Sequence, residues 1–542
     1  MLETSTFLNL SPKNISITIG CIFCTLNSFA QSPTLGLLHY DPLVSHGYTL
    51  FTPELNNSAY LVDNCGQKVN EWTFSEVPGL TCYLLENGTL LRAGKDSLEI
   101  RDWDNTLLWS YATSDNGLKQ HHDIEPLPNG NILLVVMGFY GDSTMTSEGR
   151  NPASLVGNLK LDQIIELEPV GTNSANIVWQ WNFIDHLVQD FDSLQENYNL
   201  VENHPELLDI NFDNGNDIDW VHVNAVDYNA ALDQILISAR HLNEIYIIDH
   251  STTTAQAASH SGGNSGRGGD FLWRWGNPQV YRQGTSADQK LFKQHDARWV
   301  PDGYVDEHKI SVFNNTGNGV ALESYLHLIE PEIVGVNYTM LSNAFLPASF
   351  DWTWGGMLLG HTLYQSKKSG CHALPNGSFI VTETTLGTAS EILKDGTVLW
   401  SYRNPTGQSG VYNQFDVVNL NLNSLFRAEK YQSDYVGFTG KDLTPQGIIE
   451  DDNSNSDLCI LVGVEDVELD LIKLKNPIND GFIRFTETIY ADMIMITDIS
   501  GQNVYRKVNF SGDHIQVNTA PGVYLIQISM GNQITSRKII ML

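Results

Sequence analysis

Basic residues are scarce in this chain: 30 lysines and arginines stand against 63 aspartates and glutamates in 542 residues, a formal net charge of −33. Phosphate binding needs clustered Lys and Arg, so no nucleic-acid partner and no anionic membrane surface is expected. Helical periodicity is nearly absent too. Short alternating runs ended by Asn-Gly, Asp-Gly or Pro fill the sequence instead, which places it in the all-β class. After the N-terminal segment no apolar run is long enough to span a bilayer, so no transmembrane segment is expected. Cysteine is rare, with six in all. Cys21 and Cys24 lie in the apolar stretch Ile15 to Phe29, which follows Lys13 and reads as a signal-peptide core, with a cleavage site at Ser28-Phe29-Ala30. Residues 1–30 are therefore expected to be a signal peptide. Cys65, Cys82, Cys371 and Cys459 would remain. Export permits disulfides, and proximity favours Cys65 with Cys82, although spacing alone leaves the connectivity open.

What the chain does have is a histidine phrase with regular spacing. His122-Asp123 leads into Leu127-Pro128-Asn129-Gly130, and His295-Asp296 leads into Val300-Pro301-Asp302-Gly303, each glycine eight residues after its histidine. A shorter copy runs from His372 to Pro375-Asn376-Gly377, and His222-Val223-Asn224 opens a looser one. Each reads as a histidine heading a strand, followed by a Pro/Asn/Gly turn and a second strand. Six strand segments also carry tryptophan in similar phrases, at Trp72, Trp109, Trp179-Gln180-Trp181, Trp273-Arg274-Trp275, Trp352-Thr353-Trp354 and Trp400. Repeats of roughly 40 to 50 residues with four short strands are the mark of propeller blades.

The expected architecture is a six-bladed β-propeller over residues 31–445, a linker over 446–470, and a small C-terminal β-sandwich over 471–542. Insertions stretch the repeats. The Gly/Ser/Asn-rich segment Ala258 to Asp270 is expected to be a mobile loop. The segment Asn211 to Asp219, with Asp213, Asp217 and Asp219, is read as a solvated loop, since its spacing matches no calcium loop well. The C-terminal phrases Asn476-Pro477-Ile478-Asn479-Asp480, Met493 to Asp498, Gly522 to Ile528 and Ser536 to Leu542 resemble the C-terminal sorting domain of type IX secretion cargo. That resemblance implies the type IX machinery as a partner and a final location that is secreted or on the cell surface.

Propeller geometry would bring the strand heads His122, His222, His295 and His372 to one mouth. Asn224, two residues after His222, shares its strand face. Arg240 closes the paired strand, so a hairpin across Asp227 to Asp233 would fold it back beside them. Asp123 and Asp296 are read as turn caps, and His121 as structural or lining the pocket. With these residues in place, the chain resembles the arylsulfate sulfotransferase family over roughly Gly47 to Leu443. The carriers are His121-His122-Asp123-Ile124, the His222/Asn224/Arg240 set with eighteen residues from His222 to Arg240, Gln294-His295-Asp296, Trp275-Gly276-Asn277-Pro278 and Phe426 to Tyr431.

The resemblance implies that His295 takes the sulfuryl group as a covalent sulfohistidine, with His222, Asn224 and Arg240 holding its oxygens and His122 assisting. His121 and His372 join Asn224 as expected substrate-binding residues. The donor would be a phenolic sulfate and the acceptor a phenol or water, with no cofactor and no metal ligand set. The residue types suit that chemistry: imidazole is a neutral nucleophile near pH 7, and a guanidinium stabilises a planar SO₃ group. Two other readings remain, a propeller binding metal through histidine, which Arg240 would oppose, and a non-catalytic surface propeller binding glycan or protein.

Overall fold

The computed structural model describes residues 33–451 except 216, 217, 318, 320 and 321, then 478 and 481–541 except 499–502 and 531–532. Residues 1–30, Cys459 and most of the expected linker lie outside the described residues. The described chain is nearly all β, with two short α-helices, Asp142–Ser147 and Thr254–Ala257. None of its helices is long and apolar enough to cross a membrane.

Six antiparallel meanders follow one another along the chain. The second comprises Pro78–Leu84, Leu90–Gly94, Ser97–Arg101 and Leu107–Ala112. The third comprises Gln120–Pro126, Ile132–Gly141, Asn158–Val170 and Ser174–Asn182. Val223–Asn229 opens the fourth, His295–Trp299 the fifth and Gly370–Ala373 the sixth. The first sheet joins the two ends of this region: Gly47–Pro53, Ser58–Asp63 and Lys68–Thr73 take Leu425–Gln432 as their innermost strand. Each sheet's first strand packs on that of the next, and Leu425–Gln432 touches both Pro78–Leu84 and Phe379–Glu383, which closes the ring. This is the β-propeller arrangement.

Alternation along the strands explains why the ring forms. Each sheet buries apolar side chains on both faces, and six apolar clusters fill the spaces between neighbouring sheets. The tryptophan phrases fall on the outermost strand in five sheets, and in the sixth Trp400 lies on the strand next to the edge strand Gly36–Tyr40. Their indole N–H groups reach across to the following sheet: Trp72 to Asp102 O, Trp109 to Ser174 O, Trp181 to Gly269 O, Trp273 to Leu346 O and Trp400 to Asn64 O, at 2.7–2.8 Å. At the remaining interface Trp352 stacks on Phe379. A large apolar body with one polar tip suits this bridging position.

Near the C-terminus, Phe482–Asp498, Asn503–Gln516, Gly522–Met530 and Gln533–Met541 form one four-stranded antiparallel sheet. Ile494 and Ile496 on the first strand, with Ile526 and Ile528 on the third, are fully buried at period-2 spacing. The expected Cys65–Cys82 pairing does not form. Cys65 is disulfide-bonded, whereas Cys82 and Cys371 are buried free thiols. Cys65 sits in a turn beyond Ser58–Asp63, while Cys82 points into the core shared by the first two sheets. Burial pushes the Cys82 thiol up to about 12.

Candidate active site

The innermost strands are kinked where the histidine phrases begin. His122 and His222 have φ of 60° and 56°, Asp296 has 53°, and each strand shifts register there against its neighbour. A left-handed conformation at a non-glycine residue costs about 1–2 kcal/mol, so the surrounding structure must hold it. Hydrogen bonds to buried carboxylates do so in the third and fourth sheets. Asp162 Oδ2 accepts from Val223 N at 2.6 Å, and Asp123 Oδ2 accepts from Val226 N at 3.1 Å.

Four imidazoles meet at this kinked end. The His122 ring lies 4.8 Å from that of His222 and 5.0 Å from that of His121, centroid to centroid. His241 stacks on His222 at 4.5 Å. The expected hairpin forms, with Arg240 N donating to His222 O at 3.0 Å, so Arg240 returns beside His222. Its half-buried guanidinium makes no hydrogen bond or ion pair among the described residues. Asn224 is fully buried and ties this strand to the next sheet by donating from Nδ2 to Gln294 O at 2.7 Å; its Oδ1 has no partner.

The hydrogen bonds assign the ring protons. Asn315 donates both Nδ2 protons, to Gln365 O and Lys368 O at 2.9 Å each, so its Oδ1 must be the atom facing His295 Nδ1 at 2.7 Å. Lys293 O lies 3.0 Å from the same nitrogen. Facing two acceptors, Nδ1 carries the proton, and Nε2 keeps a lone pair that accepts from Lys368 N at 3.1 Å. A second relay sets His122. His121 Nε2 donates to Asp162 Oδ1 at 3.0 Å, so its Nδ1 accepts from His122 Nδ1 at 2.7 Å and leaves the lone pair of His122 on Nε2. His222 Nδ1 donates to Asp219 Oδ2 at 2.5 Å.

The charges follow from burial. It holds His295 well below the usual histidine range; Asn315 works against this, and Arg240, His222 and Arg427 reinforce it. His122 is held well below by burial and by His121 and His222. Asp219 is lowered: burial opposes ionisation, but hydrogen bonds from His222 and Lys160 outweigh it. The site therefore presents neutral imidazoles, a cation and acceptor lone pairs, which suits attack on an anionic group of moderate size.

His372 is not with the others. It lies near Glu429 Oε2, at 3.5 Å, beside Arg298, which grips both Glu429 oxygens at 2.7 and 3.0 Å. His372 lines a cavity of about 460 Å³ with Pro301 and Pro375, at the end of the channel where the Pro/Asn/Gly turns lie. Its phrase is three residues shorter, and three residues of strand amount to about 10 Å. Ser369 stands eight residues before Gly377, at the spacing of the two longer phrases.

Asp123 and Asp296 do not cap turns. Both hold Arg427 inside the ring, through Nη1–Oδ2 at 2.7 Å and Nε–Oδ1 at 2.8 Å. Asp219 is no solvated loop residue either, since it pairs with both His222 and Lys160 Nζ, the latter at 2.8 Å. Sequence reasoning missed Asp162, Lys160, Asn315 and Lys368. Only Asp219, three residues before His222, had a local signal.

Comparison with known proteins closes the description. The sequence model of the family described as arylsulfotransferase matches residues 58–330, and that of the secretion system C-terminal sorting domain matches 476–542. A protein carrying this tail is exported and ends secreted or at the cell surface. No curated protein matches the chain. Among solved structures, a protein of unknown function from Bacteroides caccae is 12% identical with a TM-score of 0.36, over 66% of this chain and 93% of that one. A streptogramin B lyase is 11% identical with a TM-score of 0.32, over 70% and 87%. The virginiamycin B lyase of Staphylococcus aureus is 9% identical with a TM-score of 0.32, over 68% and 84%.

Proposed function

Because the chain belongs to the arylsulfotransferase family, we propose that it moves a sulfuryl group from a phenolic sulfate ester to a phenol, or to water, through a sulfohistidine at Nε2 of His295. The observation that carries this reading is the uncommitted guanidinium of Arg240 beside neutral imidazoles whose Nε2 atoms hold lone pairs. An anion with a planar, electron-poor centre is the ligand that such a set complements.

In the first half-reaction Nε2 of His295 attacks sulfur, the N–S bond forms, and the S–O bond to the aryl group breaks. The phenolate departs as the anion and takes its proton from solvent, since His122 is neutral with its lone pair on Nε2. The proton stays on His295 Nδ1 and is donated to Asn315 Oδ1, which stabilises the positive charge that the ring acquires. Lys368 N–H, already directed at Nε2, turns to a sulfuryl oxygen as the lone pair is used, and Arg240 takes another. In the second half-reaction the acceptor hydroxyl gives its proton to the Nε2 lone pair of His122 or His222, which passes it on to solvent. The acceptor oxygen attacks sulfur, and the N–S bond breaks to restore neutral His295. Asn224 and His121 shape the pocket, whereas His372 belongs to the far end of the channel and has no part in these steps.

The test is intact mass after brief exposure to 4-nitrophenyl sulfate without acceptor. One added sulfuryl group is expected, lost on adding phenol and absent in His295→Ala. Arg240→Ala should fold normally and lower kcat about 10²–10³-fold. Full turnover by His295→Ala would overturn the nucleophile assignment.

A further inference from the structure

The insertion after Asp249 contains a second histidine–aspartate cluster, away from the residues above. The insertion opens with a helix, Thr254–Ala257, closed by a capping box between Thr253 and Gln256. It then returns so that Gly269 N donates to Ser259 O at 3.0 Å and Gly269 O accepts from Trp181. His186, from the preceding sheet's connection, is enclosed between this loop and Trp181, on whose ring it stacks. Gly269 permits the closure, because a Cβ there would lie 2.0 Å from Ala257 O and 2.6 Å from His186 Nε2.

His186 is fully buried, and both its ring nitrogens face oxygen acceptors. Nε2 lies 2.8 Å from Ala257 O, and Nδ1 lies 2.9 Å from Asp270 Oδ1. His260 Nδ1 approaches the same carboxylate oxygen at 2.7 Å. A neutral imidazole has one proton and can satisfy only one of two acceptors. If Nε2 donates to Ala257 O, the lone pair on Nδ1 points at an anionic oxygen, a contact that a metal cation held by both atoms would make favourable. No lysine or arginine pairs with Asp270, whose ion pairs among the described residues are with His186 and His260.

We infer that His186 Nδ1, His260 Nδ1 and Asp270 Oδ1 hold a divalent cation of the zinc class, which pins the 252–270 insertion to the propeller. The three donor atoms lie within 4.8 Å of one another. Tetrahedral zinc with bonds near 2.0–2.1 Å separates its donors by about 3.3 Å, so an outward shift of a few tenths of an ångström makes room for the ion. Two imidazoles and one carboxylate suit zinc, whereas calcium takes six to eight oxygens. The bond from His186 Nε2–H to a backbone carbonyl is the outer contact that orients metal-bound histidines. His260 is 62% exposed on its side chain, which leaves the fourth position to water. The Asp219/His222/His241 group is different, since Lys160 already neutralises its carboxylate.

The experiment uses the full chain, stripped with a chelator, dialysed and titrated with Zn²⁺ or Co²⁺. One equivalent is expected to bind, with a tetrahedral Co²⁺ absorption band and a melting temperature raised by several degrees. His260→Ala, at an exposed position, and Asp270→Asn should each weaken binding at least tenfold, and His241→Ala should not. Failure of the folded chain to take up either metal would overturn the inference. Equal uptake by wild type and His260→Ala would overturn it by locating the metal elsewhere.

Discussion

Asn315 is the residue on which the chemistry of His295 depends most directly. A free neutral imidazole carries its proton on either nitrogen, and only the Nδ1–H form leaves Nε2 able to attack. Asn315 selects that form because its own amide is locked by two carbonyls. Replacing it with leucine should lower kcat tenfold or more with little change in KM. Asn315→Asp should act differently, as a carboxylate at Nδ1 favours the imidazolium. The sign is direct. Burial depresses His295 below its usual value, so the reactive neutral form persists below pH 6.5 and the acid limb of kcat/KM lies there. A nearby anion raises that pKa, so in Asn315→Asp the limb moves to higher pH. A merely structural asparagine would leave the limb where it was in both variants. None of this was legible in the sequence. Asn315 lies twenty residues from His295 and meets it only across a strand pair.

At the level of elements, the closure of the ring offers the clearest test. Gly47 begins the strand that pairs with Leu425–Gln432, and a Cβ on it would lie 2.1 Å from Tyr431 O. Backbone cannot yield as a flexible side chain can. Gly47→Ala should therefore destabilise the propeller by about 1–3 kcal/mol, the usual effect of overpacking, and lower its thermal midpoint. The strand it would displace also carries Arg427 and Glu429, so closure and the charge lattice of the channel are one feature. Element positions were largely readable beforehand. The tryptophan phrases mark outer strands, where a large apolar body with a polar tip can reach the next sheet. The histidine phrases mark innermost strands, and the short spacing of the His372 copy already contained the reason it falls at the other end. What spacing could not convey was the kink at His122, His222 and Asp296; at His222 the next residue's N–H is held by Asp162 of the neighbouring sheet.

The whole molecule carries a net charge of −33, and the proposed substrate is an anion. At low ionic strength the field of the distant surface opposes its approach. Screening lengths fall from roughly 30 Å at 0.01 M to about 8 Å at 0.15 M, which removes the long-range repulsion while sparing contact with Arg240. Steady-state kcat/KM for an aryl sulfate should rise severalfold over that range, and Arg240→Ala should rise more steeply because only repulsion remains. An unchanged value in both proteins would show that the surface charge does not reach the site.

By itself the sequence determined the all-β class, the order of the repeating units and the exported character given by the tail. Those properties follow from local patterning: alternation, turn residues and short motifs keep their meaning whatever the rest of the chain does. Tertiary structure alone decided the proton positions on the imidazoles, the binding of Arg427 by Asp123 and Asp296, and the joining of His186 to Asp270. Each depends on atoms dozens to hundreds of residues apart coming within about 3 Å. Such distances exist only after the ring has closed.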